Sequence, residues 1–237
     1  MLCLGGLPMI TQRIILEHHR HPYRLGRHVY HDSRSRAFTV RGGAPITSVL
    51  HRPNDIIALD QGNLGACTGF AAVKCLSTAP FTNRFTAVEG RGVYSDATKC
   101  DPFDGEWPPT DTGSNGLSVM KVCKGRGWIK GYQWAFTLDQ ALSALMERPG
   151  ICGVEWRDDM FTPDSRGRIK PSGAIAGGHE VCMIGYDRPH EEILFVNSWG
   201  PGFGVVLDGI TGVFRMRVDD FAALLATGGD VTFPDLP

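Results

Sequence analysis

Apolar positions along this chain change their spacing near Pro149. Before it they recur in short bursts at helical intervals; after it they alternate or run together as strands do. From Cys67 to about Ala79, the positions Phe70, Ala71, Val73 and Leu76 predict a buried helix that Pro80 ends. Ser118 to Lys124 and Leu138 to Glu147 predict two more helices, each stopped by glycine or proline, and a tyrosine-centred helical turn falls near Val93 to Thr98. Four runs past Pro149 predict strands: Ile151 to Trp156, Glu180 to Tyr186, Glu192 to Val196 and Gly212 to Arg217. A short extended segment from Ile46 to Ile57 leads into Asp60-Gln61, and residues 81 to 116 are rich in Gly, Pro, Thr and Asp. Helices early and strands late predict an α+β arrangement of two lobes.

Residues 1 to 43 follow neither pattern. They carry His18, His19, His21, His28 and His31 among many arginines, with little apolar periodicity beyond Thr11 to Glu17. A zinc site from His18, His19 and His21 has no cysteine or carboxylate cluster behind it, so the segment reads as a solvated extension or strap.

Composition narrows the classes. An apolar fraction of 42% and a charged fraction of 21% are ordinary for a globular chain with a substantial core. A formal net charge of −1 gives no electrostatic case for nucleic acid or an anionic membrane, and no apolar run reaches the length of a membrane span. The apolar start, Met1 to Ile10, lacks a basic region and is broken by glycine and proline, which argues against a secretory signal. Seven cysteines form an odd set. Cys75, Cys152 and Cys182 fall on helical or strand-like apolar runs and read as buried free thiols.

The candidate chemistry lies in three segments. Cys67 follows a glycine-rich turn where a helix begins, close to the positive end of the helix dipole, which favours a thiolate. Gln61 offers a side-chain amide six residues earlier. His179 precedes an apolar strand, and Asn197 opens Asn197-Ser198-Trp199-Gly200. Cysteine, histidine and asparagine in this order are the parts of a thiol acyl-transfer site. Each also has a bland reading: a small buried hydrophobe, a structural histidine, a turn asparagine.

Together the segments resemble the papain-like cysteine peptidases, in a divergent bacterial or phage-type form, over roughly residues 44 to 237. The matching positions are Gln61, Gly62, Gly65 and Cys67, then Gly178, His179 and Val181, then Asn197 to Gly200. The resemblance implies a helical left lobe (about 60–147), a β-barrel-like right lobe (about 148–237 with 44–58) and an active-site cleft between them. It implies that Cys67 attacks a peptide carbonyl, with His179 as base and acid paired to it, Asn197 orienting the imidazole under Trp199, and Gln61 donating to the oxyanion. Gly113, Ser114, Gly178 and Trp199 would line the groove for a polypeptide substrate, with no metal and no cofactor. Residues 1–43 lie where the family carries an inhibitory propeptide, although the usual helical propeptide pattern is absent.

Four departures stand out. Leu64 replaces the cysteine that forms a disulfide in secreted members, which with the absence of Asn-x-Ser/Thr sites points to a reducing, cytoplasmic setting. Thr68 replaces an aromatic beside the sulfur. Glu180 stands directly after the base where the family has a small residue, and would make the neighbouring pocket polar. Val205 to Thr211 reads as an inserted loop. The competing functions are a cell-wall peptide amidase or transpeptidase on the same thiol, and an inactive peptide-binding homologue.

Overall fold

The computed structural model describes residues 11–12 and 21–237. Strand β1 (Thr11–Gln12) pairs antiparallel with β2 (Val29–Tyr30). Then follow β3 (Val49–Leu50), helices α1 (Cys67–Leu76), α2 (Ala87–Cys100) and α3 (Gly116–Gly125), β4 (Tyr132–Ala135) and α4 (Leu138–Leu145). The remainder is β5 (Gly150–Arg157), β6 (Ile175–Asp187), β7 (Glu192–Val196), β8 (Val205–Leu207), β9 (Ile210–Arg217), α5 (Val218–Ala226) and β10 (Asp230–Pro234). One antiparallel sheet runs β4-β10-β5-β6-β7-β9-β8, with β3 added on β6.

The long strand β6 shows why the strand runs read as nearly continuous apolar sequence. Its side chains alternate between two cores: Val181 and Met183 join Trp156, Phe195, Phe214 and Phe221, whereas Cys182 and Ile184 join Val73, Leu76, Val119 and Met120. The sheet is thus apolar on both faces, with α1 and α3 on one side and α4 and α5 on the other.

Every residue of α1 is buried, because α2 and α3 pack on it as well as the sheet. Its contact with α2 is a backbone contact: a Cβ on Gly69 would lie 2.3 Å from the Gly90 carbonyl oxygen. Even Lys74 is enclosed. Its ammonium donates to the carbonyls of Asp55 and Ile57, both at 2.8 Å, and so ties the segment leading to Gln61 onto α1.

The structure corrects several element boundaries. The helical turn near Val93 is four turns long and starts at a capping box, Thr86 with Glu89. The expected inserted loop at Val205 to Thr211 is a hairpin, β8 with β9. Strands β4 and β10 and helix α5 have no counterpart in the sequence reading. The described cysteines are all unpaired; Cys75, Cys152 and Cys182 are buried, as expected, and Cys100 is exposed.

Candidate active site

Cys67 is the first residue of α1, and Ala66 before it supplies no side-chain cap, so the helix N-terminus is left open beside the sulfur. Helix α1 packs on β6, the strand that carries His179. The imidazole Nε2 lies 2.8 Å from the Asn197 side-chain oxygen, just past the end of β7. That oxygen also accepts from the Ser198 N–H at 2.7 Å, which fixes it as an acceptor. Nε2 therefore carries the proton, and Nδ1 is left with its lone pair and no hydrogen bond.

The imidazole sits in an aromatic box. Trp199 stacks on it at 4.3 Å between centroids, and Trp156 meets it edge-on at 4.8 Å. Burial pushes the His179 pKa down to about 3, against the Asn197 hydrogen bond. Burial also pushes the Cys67 thiol up to about 12; N–H groups of Glu180, Gly26 and Thr68 oppose this, while the Glu180 carboxylate adds to it. The sequence reading expected a thiolate beside an imidazolium. Burial instead favours the neutral form of both groups, and it outweighs the N–H groups around the sulfur and the Asn197 hydrogen bond at the imidazole.

Backbone bonds bring Gln61 to the same place: Gln61 N–H donates to the Ser198 carbonyl at 2.9 Å and Gly200 N–H to that of Leu59 at 3.0 Å. The Ser198 hydroxyl donates to Gln61 Oε1 at 2.6 Å, which turns the amide nitrogen the other way. That nitrogen donates to the Leu64 carbonyl at 2.7 Å and to the Arg24 carbonyl at 3.1 Å.

Arg24 belongs to a strap, residues 21–28, that lies across this site. Trp199 Nε1 donates to the same Arg24 carbonyl at 3.1 Å, and Tyr23 stacks on Trp199 at 4.6 Å. The N–H groups of Gly26 and Arg27 both donate to the Gly178 carbonyl, at 3.1 and 2.9 Å. Ser114 N–H donates to the Gly26 carbonyl at 2.9 Å and its own carbonyl accepts from His28 N–H at 2.7 Å, a parallel bridge. Gly113 has φ +73°, and a Cβ there would meet the Gly26 oxygen at 2.5 Å, so only glycine allows this approach. The residues expected to line a groove, Gly113, Ser114, Gly178 and Trp199, thus all touch one peptide segment.

Neither a protein-family model nor a curated protein matches this sequence. Solved structures do. Xylellain, a cysteine protease from Xylella fastidiosa, is 17% identical with a TM-score of 0.65, covering 94% of this chain and 100% of its own. The bromelain protease from Ananas comosus, in complex with the E64 inhibitor, is 17% identical over 76% of this chain and 93% of its own, TM-score 0.53. Digestive procathepsin L 3 of Tenebrio molitor larval midgut is 14% identical over 86% and 77%, TM-score 0.52. The fold is that of the papain-like cysteine proteases.

Within that papain-like frame, sequence reasoning missed two groups of residues. Asp111 lies in the stretch marked only as rich in Gly, Pro, Thr and Asp, yet its carboxylate accepts from Gly65 N–H (2.8 Å), Tyr94 Oη–H (2.5 Å) and Arg24 (3.0 Å), and so pins the glycine turn ahead of Cys67. The strap residues Arg24, Gly26 and Arg27 carry no motif; only the break in periodicity over residues 1 to 43 marked them. Asp158 lies at the outer end of the strap, 3.4 Å from His21. His18 and His19 of the conceivable zinc set lie outside the described residues.

Proposed function

We propose that this chain is a thiol peptidase, held closed by its own strap, with Cys67 as nucleophile, His179 as general base and acid, Asn197 as orienter and Gln61 as oxyanion donor. The observation that carries the reading is the position of the Arg24–Arg27 backbone. A peptide segment crosses the site with one carbonyl accepting from the Gln61 amide and from Trp199 Nε1, and with the N–H groups of Gly26 and Arg27 on the Gly178 carbonyl next to His179. A site that holds a polypeptide so is fitted to hold a polypeptide substrate. The bromelain of the same fold, bound to the E64 inhibitor, supports the assignment to thiol chemistry.

The chemistry follows from the hydrogen-bond pattern. With the strap withdrawn, water re-enters, and the desolvation that keeps both groups neutral is relieved. The Cys67 proton passes to Nδ1 of His179, because Nε2 is committed to Asn197. The sulfur attacks the substrate carbonyl carbon, and the oxygen takes the negative charge opposite Gln61 Nε2 and the Cys67 N–H, donors worth about 3 kcal/mol each at such a site. The proton on Nδ1 goes to the leaving amine as the C–N bond breaks. Water, giving its proton to Nδ1, then cleaves the thioester and restores the thiol.

An epoxysuccinyl inhibitor of the E64 type tests this by intact mass. One adduct on the strap-released Gly26→Ala chain, formed far more slowly on the closed wild type, absent when Cys67→Ala is added and slowed when His179→Ala is added, is the expected result. A folded chain that stays unlabelled even when the strap is unseated by Gly26→Ala sinks the proposal.

A further inference from the structure

The side chain of Arg27 does not stay with the strap. It turns into the protein and is 1% exposed, with Nη2 donating to Asp230 and to the Gly228 carbonyl, both at 2.9 Å. A second carboxylate, Glu180, faces the same space and is wholly buried, and both of its oxygens lack a hydrogen-bond partner. Arg27 Nε and Nη1 and Asp230 Oδ1 are likewise buried without a partner.

The walls leave room for this group. A Cβ on Gly153 would meet Arg27 Nε at 2.4 Å, Asp230 Oδ1 at 2.6 Å and Glu180 Oε2 at 2.9 Å, and one on Gly116 would meet Glu180 Oε1 at 3.0 Å. Two buried carboxylates facing one space are costly unless a cation stands between them. Burial and Asp230 push the Glu180 carboxyl well above its ordinary range, against the pull of Arg27. A strap that needed only to be fastened had no use for two acids and two glycine walls around one side chain. The pocket also has a fixed address: Arg27 is the neighbour of Gly26, which packs directly on the Gly65 backbone in the turn ahead of Cys67.

We propose that the pocket formed by Glu180, Asp230, Gly153 and Gly116 selects an arginine side chain of the peptide substrate, and that Arg27 fills it as a built-in copy of that side chain. This rests on the peptidase reading above. A planar guanidinium carries several donors in a fixed fork: Nη2 serves Asp230 and the Gly228 carbonyl here, and Nε and Nη1 remain for a further acceptor, an arrangement the single ammonium of lysine cannot present.

The test uses the full chain in two variants that unseat the strap differently. Arg27→Ala empties the pocket. Gly26→Ala leaves every pocket group native and displaces the strap, since its Cβ would lie 1.9 Å from the Gly65 carbonyl oxygen. The first readout needs no catalysis: binding of N-acetyl-arginine amide, its neutral isostere N-acetyl-citrulline amide, and the leucine amide, followed by thermal shift and calorimetry. Arginine amide is expected to bind roughly tenfold or more tighter than citrulline amide to both variants, and to lose that preference in Arg27→Ala/Asp230→Asn. The second readout is cleavage of quenched peptides carrying a single arginine, citrulline or leucine, with the cut mapped by mass. The cut is expected within two residues of the arginine, and faster by a similar factor. Equal binding of the arginine and citrulline amides to both variants overturns the pocket. So does equal cleavage of the arginine and leucine peptides. Selective binding of arginine amide with no cleavage of any peptide overturns the peptidase reading and leaves the pocket as a guanidinium site.

Discussion

Replacing Gly26 by alanine measures how firmly the strap closes the site. The new Cβ would stand 1.9 Å from the Gly65 carbonyl oxygen, 2.4 Å from its carbon and 2.7 Å from its Cα. All three are backbone atoms, so no side chain can swing aside. Gly65 itself is held by Asp111. The strap must move by more than an ångström, and the bonds nearest Gly26 cannot follow: its N–H to Gly178, its carbonyl to Ser114, and the Arg24 carbonyl to Gln61 and Trp199. At about 1 kcal/mol for each hydrogen bond, losing three of these weakens closure by about 3 kcal/mol, or roughly a hundredfold in the open population. Alkylation by iodoacetamide reads that population if closed Cys67 is unreactive. The exposed thiol of Cys100 provides an internal reference for the reagent. The ratio of Cys67 to Cys100 labelling, read by peptide mapping, should rise by about two orders of magnitude. Gly42→Ala, where a Cβ meets nothing within 4 Å, should leave it unchanged. A ratio for Gly26→Ala within about twofold of wild type, in a chain with native circular dichroism, would refute the claim that the strap shields the sulfur.

Three further outcomes are expected. Asn197→Ala removes the acceptor that fixes the His179 tautomer, so kcat of the strap-released enzyme should fall on the order of a hundredfold with KM little changed; a fall in KM alone would contradict an orienting role. Closed-state stability should vary with pH in two limbs. The depressed pKa of His179 means the unfolded chain binds more protons, so stability is lost as pH falls from about 6.5 towards 3; the raised pKa of Cys67 means it is lost as pH rises from about 9 towards 12. Denaturation at pH 5, 7.5 and 10 checks both, with His179→Gln expected to reduce the acid limb and Cys67→Ser to remove one share of the alkaline limb, the rest belonging to the buried thiols of Cys75, Cys123 and Cys152. Lys74→Met strands the Asp55 and Ile57 carbonyls and should cost about 2–4 kcal/mol by denaturant titration; a loss below about 0.5 kcal/mol would show that the ammonium does not anchor the Gln61 segment.

What was legible in the sequence divides along physical lines. Helix α1 and strands β5, β6, β7 and β9 were readable because buried elements write their period in apolar residues. The elements missed are marginal in that respect. Strand β4 is half-exposed, and β10 contains Asp230 and ends on Pro234, a pattern that argues against a strand until its two neighbours are known. The three motif segments were legible as a constellation, and the structure brings Gln61, His179, Asn197 and Trp199 together beside the helix that Cys67 opens. Their protonation was not legible. A helix dipole and a nearby histidine predict a thiolate in an open site, and nothing local in the sequence says that residues 24 to 28 will be laid over it. Glu180 was noticed only as a polar intrusion after the base; its meaning depends on Asp230 and Arg27, which lie 50 residues downstream and 153 upstream of it.

On the proposed reading, the strap, Cys67 and His179 act as one electrostatic device. Thiol peptidase chemistry needs a charge pair, sulfur negative and imidazole positive, and a charge pair needs solvent or fixed dipoles around it. The strap withholds both. It places an apolar turn of chain, with Leu25 buried in the core, over the site, and it spends the Gln61 and Trp199 donors on its own Arg24 carbonyl. The thiol at about 12 and the imidazole at about 3 are separated in the wrong direction for proton transfer, since the proton stays on sulfur by a wide margin. On the proposed mechanism, closure would silence the chemistry electronically as well as by blocking access, and a strap that merely loosened without admitting water would leave the site inactive. The two effects separate experimentally. Gly26→Ala should raise the labelling of Cys67 by small reagents, and the pH profile of that labelling should at the same time shift from a thiol titrating far above neutrality towards one titrating near or below it. A faster rate with an unchanged profile would mean that the strap acts by steric cover alone.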